Sequence, residues 1–435
     1  MNSIRINYAP SLITKRQLSM NLSRLTPSMQ RMRAAASRKY ATDYASLNLP
    51  VDRGSLGRVQ KLVKEKRKLN PTLIVVAGIG GSNLGTIAVQ EAVLGASYNL
   101  NGRPRILYAD TVDTHSIGFI RKEIEKELRK EKRVILVGVS KSGGTTETIA
   151  NFSILAETIK RHRKDYRRLI IVTTDKGSRY WSFARQEGYA VLEIPKNVGG
   201  RYSVFSPVGL FPLGMLGIDL SSLLKGAAQM RKLCLGSLRN PAAVGAATIY
   251  ANWKKGKTIH DTFLFAKDLE SLGKWYRQLM GESIGKEKDL KGKKVFRGIT
   301  PTVSIGSTDL HSMAQLYLGG PYDKYHSIIT VEETGPLQRV PRGKGYGALV
   351  NHVEGKTLAA IMDAIVSGVK AAFIKGRRPF NAIHLPDRSA ESIGQLLQLK
   401  MMEMMHLGHL LNVNPFDQPN VEDYKIETKR FLEHP

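Results

Sequence analysis

Residues 133–149 read RVILVGVSKSGGTTETI. After Arg133 the first part is apolar and rich in Val and Ile, as a short strand buried on both faces is. The next residues set Ser140, Lys141, Ser142 and Thr145 around two glycines, where the strand ends and a helix begins. That composition forgoes apolar burial. It supplies hydroxyls, one cation and backbone N–H groups that Gly143 and Gly144 allow to converge, in front of a helix N-terminus. An anion suits such a turn. The nucleotide-binding spacing G-x-x-x-x-G-K-[ST] is absent, so the phosphate of a small metabolite is the expected ligand. Ser- and Thr-rich helix caps also occur with no ligand at all.

Outward from this stretch the same pattern recurs. TLIVVA (72–77) leads into GIGGSNLG (78–85) and a helix-like segment. RILYAD (105–110), RLIIVTT (168–174) and YAVLEIP (189–195) read as further strands, with a charged helix-like stretch over 116–132. A second, weaker series follows: TFLFA (262–266), PTVSIGSTDLHS (301–312), HSIITVEE (326–333) and FNAIHLP (380–386), with helix-like 356–375 and 389–411. Apolar strands alternating with helices predict an α/β fold, doubly wound, with mainly parallel sheets flanked by helices and ligands at the carboxyl ends of the strands. The expected division is an N-terminal helical segment 1–66, a first α/β subdomain 67–235 and a second 236–435 with C-terminal helices.

The chain has 435 residues, 42% of them hydrophobic, enough for two domains with real cores. The first twenty residues show no continuous apolar run of the secretory kind, and no stretch is apolar for long enough to span a membrane. Cys234 is the single cysteine, which excludes internal disulfides and multi-cysteine zinc sites and fits a cytoplasmic setting. The formal net charge is +29. Polyanion binding is one reading. A general surface bias is the other, and it is favoured, because basic runs such as 121–133 interleave Glu at helical spacing.

Further motifs offer chemistry singly and weakly. GIGGSNLG has Asn83 where a dinucleotide fingerprint needs its third glycine, so close approach of a small ligand to Gly81 and Ser82 is the better use. Gly200 and Arg201 in NVGGRYS (197–203) put a guanidinium on a flexible turn; a lone surface Arg is the ordinary alternative. QLMGESIGKE (278–287) places Glu282 beside Gly281, near Gly285, where a carboxylate at a turn could be a general base, or an N-cap or solvated acid. His311 in STDLHSMAQL (307–316) and Lys425 in NPFDQPNVEDYK (414–425) read equally as a capping histidine and a surface lysine.

Taken in this order, the six motifs resemble the successive signatures of the glucose-6-phosphate isomerase (phosphoglucose isomerase) family, from about residue 73 to residue 425. The resemblance implies two sugar-isomerase (SIS-type) subdomains in a homodimer, and interconversion of glucose 6-phosphate and fructose 6-phosphate through ring opening and a cis-enediol, with no metal or organic cofactor. It implies Ser140, Lys141, Ser142 and Thr145 as phosphate binders, and Gly81, Ser82, Gly200 and Gln278 as further substrate contacts. Glu282 is then the catalytic base, Arg201 the group beside the enediolate, and His311 and Lys425 the ring-opening pair, with His311 supplied by the neighbouring subunit. Two positions depart from the family pattern: Gly144 where Thr is more usual, and Asn420 where Gly is. A sugar-phosphate-sensing regulator with a nucleic-acid-binding N-terminus is the main rival. Residues 1–66 show no helix-turn-helix spacing for it, and a sensor needs no proton-transfer set. Nucleic acid is therefore not expected as a partner. Acceptance of mannose 6-phosphate stays open.

Overall fold

Two five-stranded sheets organise the chain, in a computed structural model that describes residues 3–332, 338–343 and 346–433. The strands are β1 (Arg5–Asn7), β2 (Pro71–Ala77), β3 (Arg105–Ala109), β4 (Arg133–Val139), β5 (Ile170–Asp175), β6 (Ala190–Ile194), β7 (Ile259–Leu264), β8 (Lys286–Lys288), β9 (Lys294–Arg297), β10 (Thr300–Ile305), β11 (Lys324–Val331) and β12 (Phe380–Leu385). The first sheet is wholly parallel in the order β3-β2-β4-β5-β6. The second runs β1-β12-β11-β7-β10, parallel except for β1, which pairs antiparallel with β12. In both, the first long strand sends the chain to one neighbour and then back to the other. The winding therefore reverses beside β2 in the first sheet and beside β7 in the second. A ligand crevice forms where such a reversal splays the loops at the carboxyl ends of two adjacent strands.

The expected α/β architecture is present, and most of the expected strands and three of the helices fall within a few residues of their predicted ranges, while only the first part of 301–312 is a strand. The expected strand over 168–174 begins later, because Tyr166–Leu169 form a 3₁₀ turn in which Tyr166 and Leu169 are buried. Glu333, at the end of another predicted strand, lies outside the described residues. The first 66 residues give three α-helices, Lys15–Ser23, Thr26–Ala36 and Arg53–Arg67, but also β1, which no alternation announced. The β8–β9 hairpin, basic and too short for a pattern, was not expected either.

The core follows from the strands. Residues 73–77 of β2 and 134–137 of β4 are inaccessible to solvent, as central parallel strands must be. In the second sheet, Leu264, Ile329, Ile383 and Leu385 face the main core. Their alternates Phe263, Ile328 and Phe380 join Phe265, Tyr317 and Phe373 in a smaller cluster on the opposite face. The basic run near residue 121 is a solvated helix face, Thr114–Arg129, with Arg121–Glu125 and Lys126–Glu123 pairs. Cys234 is buried, and burial pushes its thiol up to about 12, which makes it a packing group.

Helices Leu220–Gly236 and Ala390–Leu410 meet backbone to backbone. A Cβ at Gly226 would stand 1.9 Å from the Glu391 carbonyl oxygen, and one at Gly394 2.1 Å from the Leu223 carbonyl oxygen. Neither obstacle is a movable side chain. Gly394→Ala is therefore expected to cost at least about 2 kcal/mol, read as a lower urea midpoint. Gly118→Ala, in a helix where nothing lies within 4 Å, is expected to gain up to about 1 kcal/mol. Equal effects would show that the crossing is not a backbone contact.

Candidate active site

The loops after β2 and β4 flank the reversal in the first sheet, and they touch. A Cβ on Gly78 would stand 2.9 Å from the Ser82 Cβ and 3.1 Å from the Val139 carbonyl oxygen. So the turn Gly80–Ser82 and the Ser140–Thr145 loop are neighbours. Within that loop, Ser140 Oγ lies 3.1 Å from Thr145 Oγ1 and accepts from the Gly143 N–H at 3.1 Å. Ser142 Oγ accepts from the Gly144 N–H at 3.4 Å. Gly143 has φ +72° and its missing Cβ would meet Tyr180, so glycine is required there by both conformation and space. Nothing lies within 4 Å of a Cβ at Gly144. Below the loop, Lys141 offers its carbonyl to the Asp175 N–H, and burial lowers its ammonium below the usual lysine range against the opposing charge of Asp175.

The Gly80–Ser82 turn is pinned from another direction. A Cβ on Gly81 would stand 2.2 Å from the Gly200 carbonyl carbon, so only glycine lets the 80–82 and 200–202 turns come together. Ser203 Oγ locks the pair by donating to the carbonyls of Gly200 and Gly81 at 2.7 and 3.2 Å. This places Arg201, 1% exposed, in the floor of the crevice.

Every donor of that guanidinium is used. Nε donates to Ser283 Oγ at 2.9 Å. Nη1 donates to Glu282 Oε2 at 3.0 Å and to Gln418 Oε1 at 2.5 Å. Nη2 donates to the carbonyls of Pro415 and Asp417 at 2.7 and 3.0 Å. Glu282 stands in the last turn of the Glu270–Ile284 helix, its side chain 30% exposed. Gln278, one turn earlier, donates to Glu282 Oε1 at 2.9 Å and lies beside Gly80. A carboxylate with both oxygens held by fixed donors, and lone pairs to spare, is a proton acceptor aimed at one place.

Sequence reasoning passed over three of these groups. Ser283 bridges Arg201 to the Tyr202 hydroxyl. Gln418 completes the guanidinium shell. The Lys286 ammonium, 4% exposed, donates to the carbonyls of Glu282 and Asp417 and pairs with the Asp417 carboxylate at 3.1 Å. Burial lowers Lys286, with Asp417 opposing and Arg201 reinforcing the shift. Lys286 and Gln418 lie inside quoted motifs, but a run of residue types does not show which members turn inward.

The crevice thus gathers Ser140, Lys141, Ser142, Thr145, Gly81, Ser82, Gly200, Arg201, Gln278 and Glu282. It does not gather the other two. His311 ends a 3₁₀ turn, Thr308–Leu310, with an exposed ring that touches none of the crevice groups among the described residues. Lys425 is on the exposed helix Val421–Glu433 and pairs with Glu422 at 2.7 Å. Among the described residues no three His, Cys, Asp or Glu side chains gather to hold a metal ion, and no helix is long and apolar enough to cross a membrane.

Comparison with known proteins agrees with this geometry. A family model described as phosphoglucose isomerase matches residues 66–321. The glucose-6-phosphate isomerase of Carboxydothermus hydrogenoformans is 33% identical over 417 residues, covering 91% of this chain and 88% of the relative. That of Rubrobacter xylanophilus is 35% identical over 404 residues, covering 90% of each. A hypothetical protein from Thermus thermophilus superposes with a TM-score of 0.84 at 30% identity, covering 99% of both chains. A tagatose-6-phosphate ketose/aldose isomerase from Escherichia coli shares the fold at a TM-score of 0.52, 9% identity, and 86% and 95% coverage.

The lowered Lys141 sets a pH limit on anion binding. Only its protonated form attracts an anion, so affinity is retained at neutral pH and lost as pH rises through a value below that of free lysine. Inorganic phosphate titrated calorimetrically from about pH 8 upward, where the ligand stays dianionic, is expected to weaken well before pH ~10.4. Lys141→Met should bind weakly at every pH and show no such limb; a limb that survives the substitution would assign it elsewhere.

Proposed function

The chain belongs to the phosphoglucose isomerase family and interconverts glucose 6-phosphate and fructose 6-phosphate, and we propose that Glu282, held by Arg201 and Gln278, is the base of that reaction. The observation that carries this is the doubly held carboxylate at the floor of a crevice whose rim is an anion-binding loop. The loop of Ser140, Lys141, Ser142 and Thr145 takes the phosphate. Remote binding energy there fixes the reacting carbons against Glu282, and glycines 81 and 200 let the sugar approach the backbone, with Ser82 at the turn.

The substrate is a closed ring in solution, so a proton must first pass between the ring oxygen and the anomeric hydroxyl. His311 and Lys425 are assigned that step. Glu282 then takes the proton from C2 and returns it to C1, or the reverse, through a cis-enediol. Negative charge grows on oxygen as the C–H bond breaks. Arg201, its donors all taken by Ser283, Glu282, Gln418 and two carbonyls, acts on that charge through its fixed positive field and does not have to reorganise. None of these steps uses a metal or an organic cofactor.

We assign the working form as a homodimer in which His311 comes from the neighbouring subunit. His311 is exposed and without a side-chain partner in its own protomer among the described residues. Beside it, the helix Leu358–Lys375 buries only Val366 and Phe373, and a cleft of about 310 Å³ lined by Leu310, Leu318, Ile365 and Val369 is open. Apolar surface of this kind marks a contact between proteins. The two sheets are read as the cores of two subdomains, 67–235 and 236–435. The setting is read as cytoplasmic, with neither membrane nor nucleic acid as partner.

Glu282→Gln is expected to keep sugar-phosphate binding and lower turnover at least ~10³-fold in a coupled assay that reads glucose 6-phosphate formed from fructose 6-phosphate. Near-normal turnover would remove the base assignment. Mixing Glu282→Gln and His311→Ala proteins, each with only residual turnover, should raise activity far above either alone, since one site of the mixed dimer then holds both groups. A mixture that stays at the residual level after subunit exchange would place His311 in its own protomer's site.

A further inference from the structure

His311 sits in a turn strung between β10 and the short helix Ala314–Gly319. Its flanks are fixed locally. The Gly306 N–H donates to the Leu264 carbonyl at 2.8 Å, and the Asp309 carboxylate accepts from the Ile305 N–H at 2.7 Å and the Ser312 hydroxyl at 2.8 Å. These bonds shape the turn. They tie its entry to the ends of β7 and β10, but they do not hold the helix that leaves it.

That task falls to a group on β7, which lies between β10 and β11. Asp261 of β7 has no solvent exposure. Thr302 of β10 is its register partner on one side and His326 of β11 on the other. Its Oδ1 accepts from Thr302 Oγ1 at 2.7 Å, from Ser304 Oγ at 3.0 Å and from Tyr317 OH at 3.2 Å, and its Oδ2 lies 3.3 Å from His326 Nδ1. Ser304 Oγ and Tyr317 OH are also 2.7 Å apart. Thr302 and Ser304 lead into the His311 turn, and Tyr317 lies in the helix that leaves it. A buried carboxylate that found no such partners would be far too costly to keep. Burial, and after it the charge of Asp261, push the Tyr317 phenol up, so that it remains a donor.

We propose that Asp261 is a positioning residue for His311: one buried carboxylate ties together the strand that enters the turn and the helix that leaves it. The inference rests on the assignment of His311 to ring opening. It places a determinant of that step in the sheet core, away from the crevice that holds Glu282.

The test is a double-mutant cycle followed in kcat and KM. Asp261→Ala should lower kcat on fructose 6-phosphate by up to roughly 10²-fold with little change in KM, as a small displacement of a catalytic group does. In a His311→Ala background the same change should cost nothing more. Asp261→Asn keeps an oxygen for the three hydroxyls and an amide for His326, and should stay near wild type. Tyr317→Phe cuts only the tie to the helix and carries the test if Asp261→Ala does not fold; it should lower kcat several-fold in the wild type and not at all in the His311→Ala protein. Equal losses in both backgrounds would make Asp261 a general stability residue and overturn the proposal, as would wild-type kcat in Asp261→Ala or in Tyr317→Phe. A fully active His311→Ala protein would instead bring down the reading of His311 itself.

Discussion

A guanidinium cannot be buried unless every donor is met, and Arg201 is the point where the chain meets that demand. Its five donors draw on residues from the helix 270–284 and from the loop 415–418, while its own turn is held by Gly81. Three distant parts of the sequence are therefore fixed to one planar group. The fork geometry matters as much as the charge, since Lys offers a point charge and no fork. Among the described residues Glu282 is the one carboxylate that accepts from this guanidinium, and it is the counter-ion that helps make the burial tolerable. Tyr202 of the Arg201 turn packs against Phe416 of the 415–418 loop, with Tyr44 edge-on to Phe416, so apolar contacts seal what the hydrogen bonds arrange.

The sheets supply the frame for that point. Reversal of winding beside β2 opens the only kind of place in a parallel sheet where two loops diverge. One is the Ser140–Thr145 loop and the other the Gly80–Ser82 turn. The second sheet repeats the winding, yet its contribution is different: it carries Glu282 on the helix that follows β7, and it presents His311 outward on the turn that follows β10.

Much of this was legible because it is local. The strand ends and the glycine turns announce themselves in neighbouring residues, and the ordered motifs carried the family. What stayed hidden is what depends on distance. Gln418 and Ser283 carry no signal apart from the arginine they meet. Lys400, Glu403 and His406 interrupt the apolar pattern of the helix 390–410. In the structure all three are buried: Lys400 pairs with Glu403 at 2.9 Å, the Tyr276 hydroxyl donates to the same carboxylate, and His406, lowered to about 3 by burial, lies against Ser28. Periodicity registers polarity, not whether polarity has found a partner. β1 is similar: three residues of RIN become a strand only because β12 offers an edge.

That pairing of β1 with β12 has a consequence in time. Arg5 is matched with His384, and the Ile4 N–H donates to Gln395. As the chain emerges from the ribosome, the first sheet can be completed while the second still lacks its last parallel strand. The opening strand must meanwhile remain unpaired, because its edge does not yet exist. The shell around Arg201 likewise waits for residues 415–418. The fold closes, and the crevice becomes functional, only when almost all of the chain is present. A truncated product thus keeps a finished sheet and a phosphate loop without the means of catalysis, and exposes strand edges open to pairing with other chains.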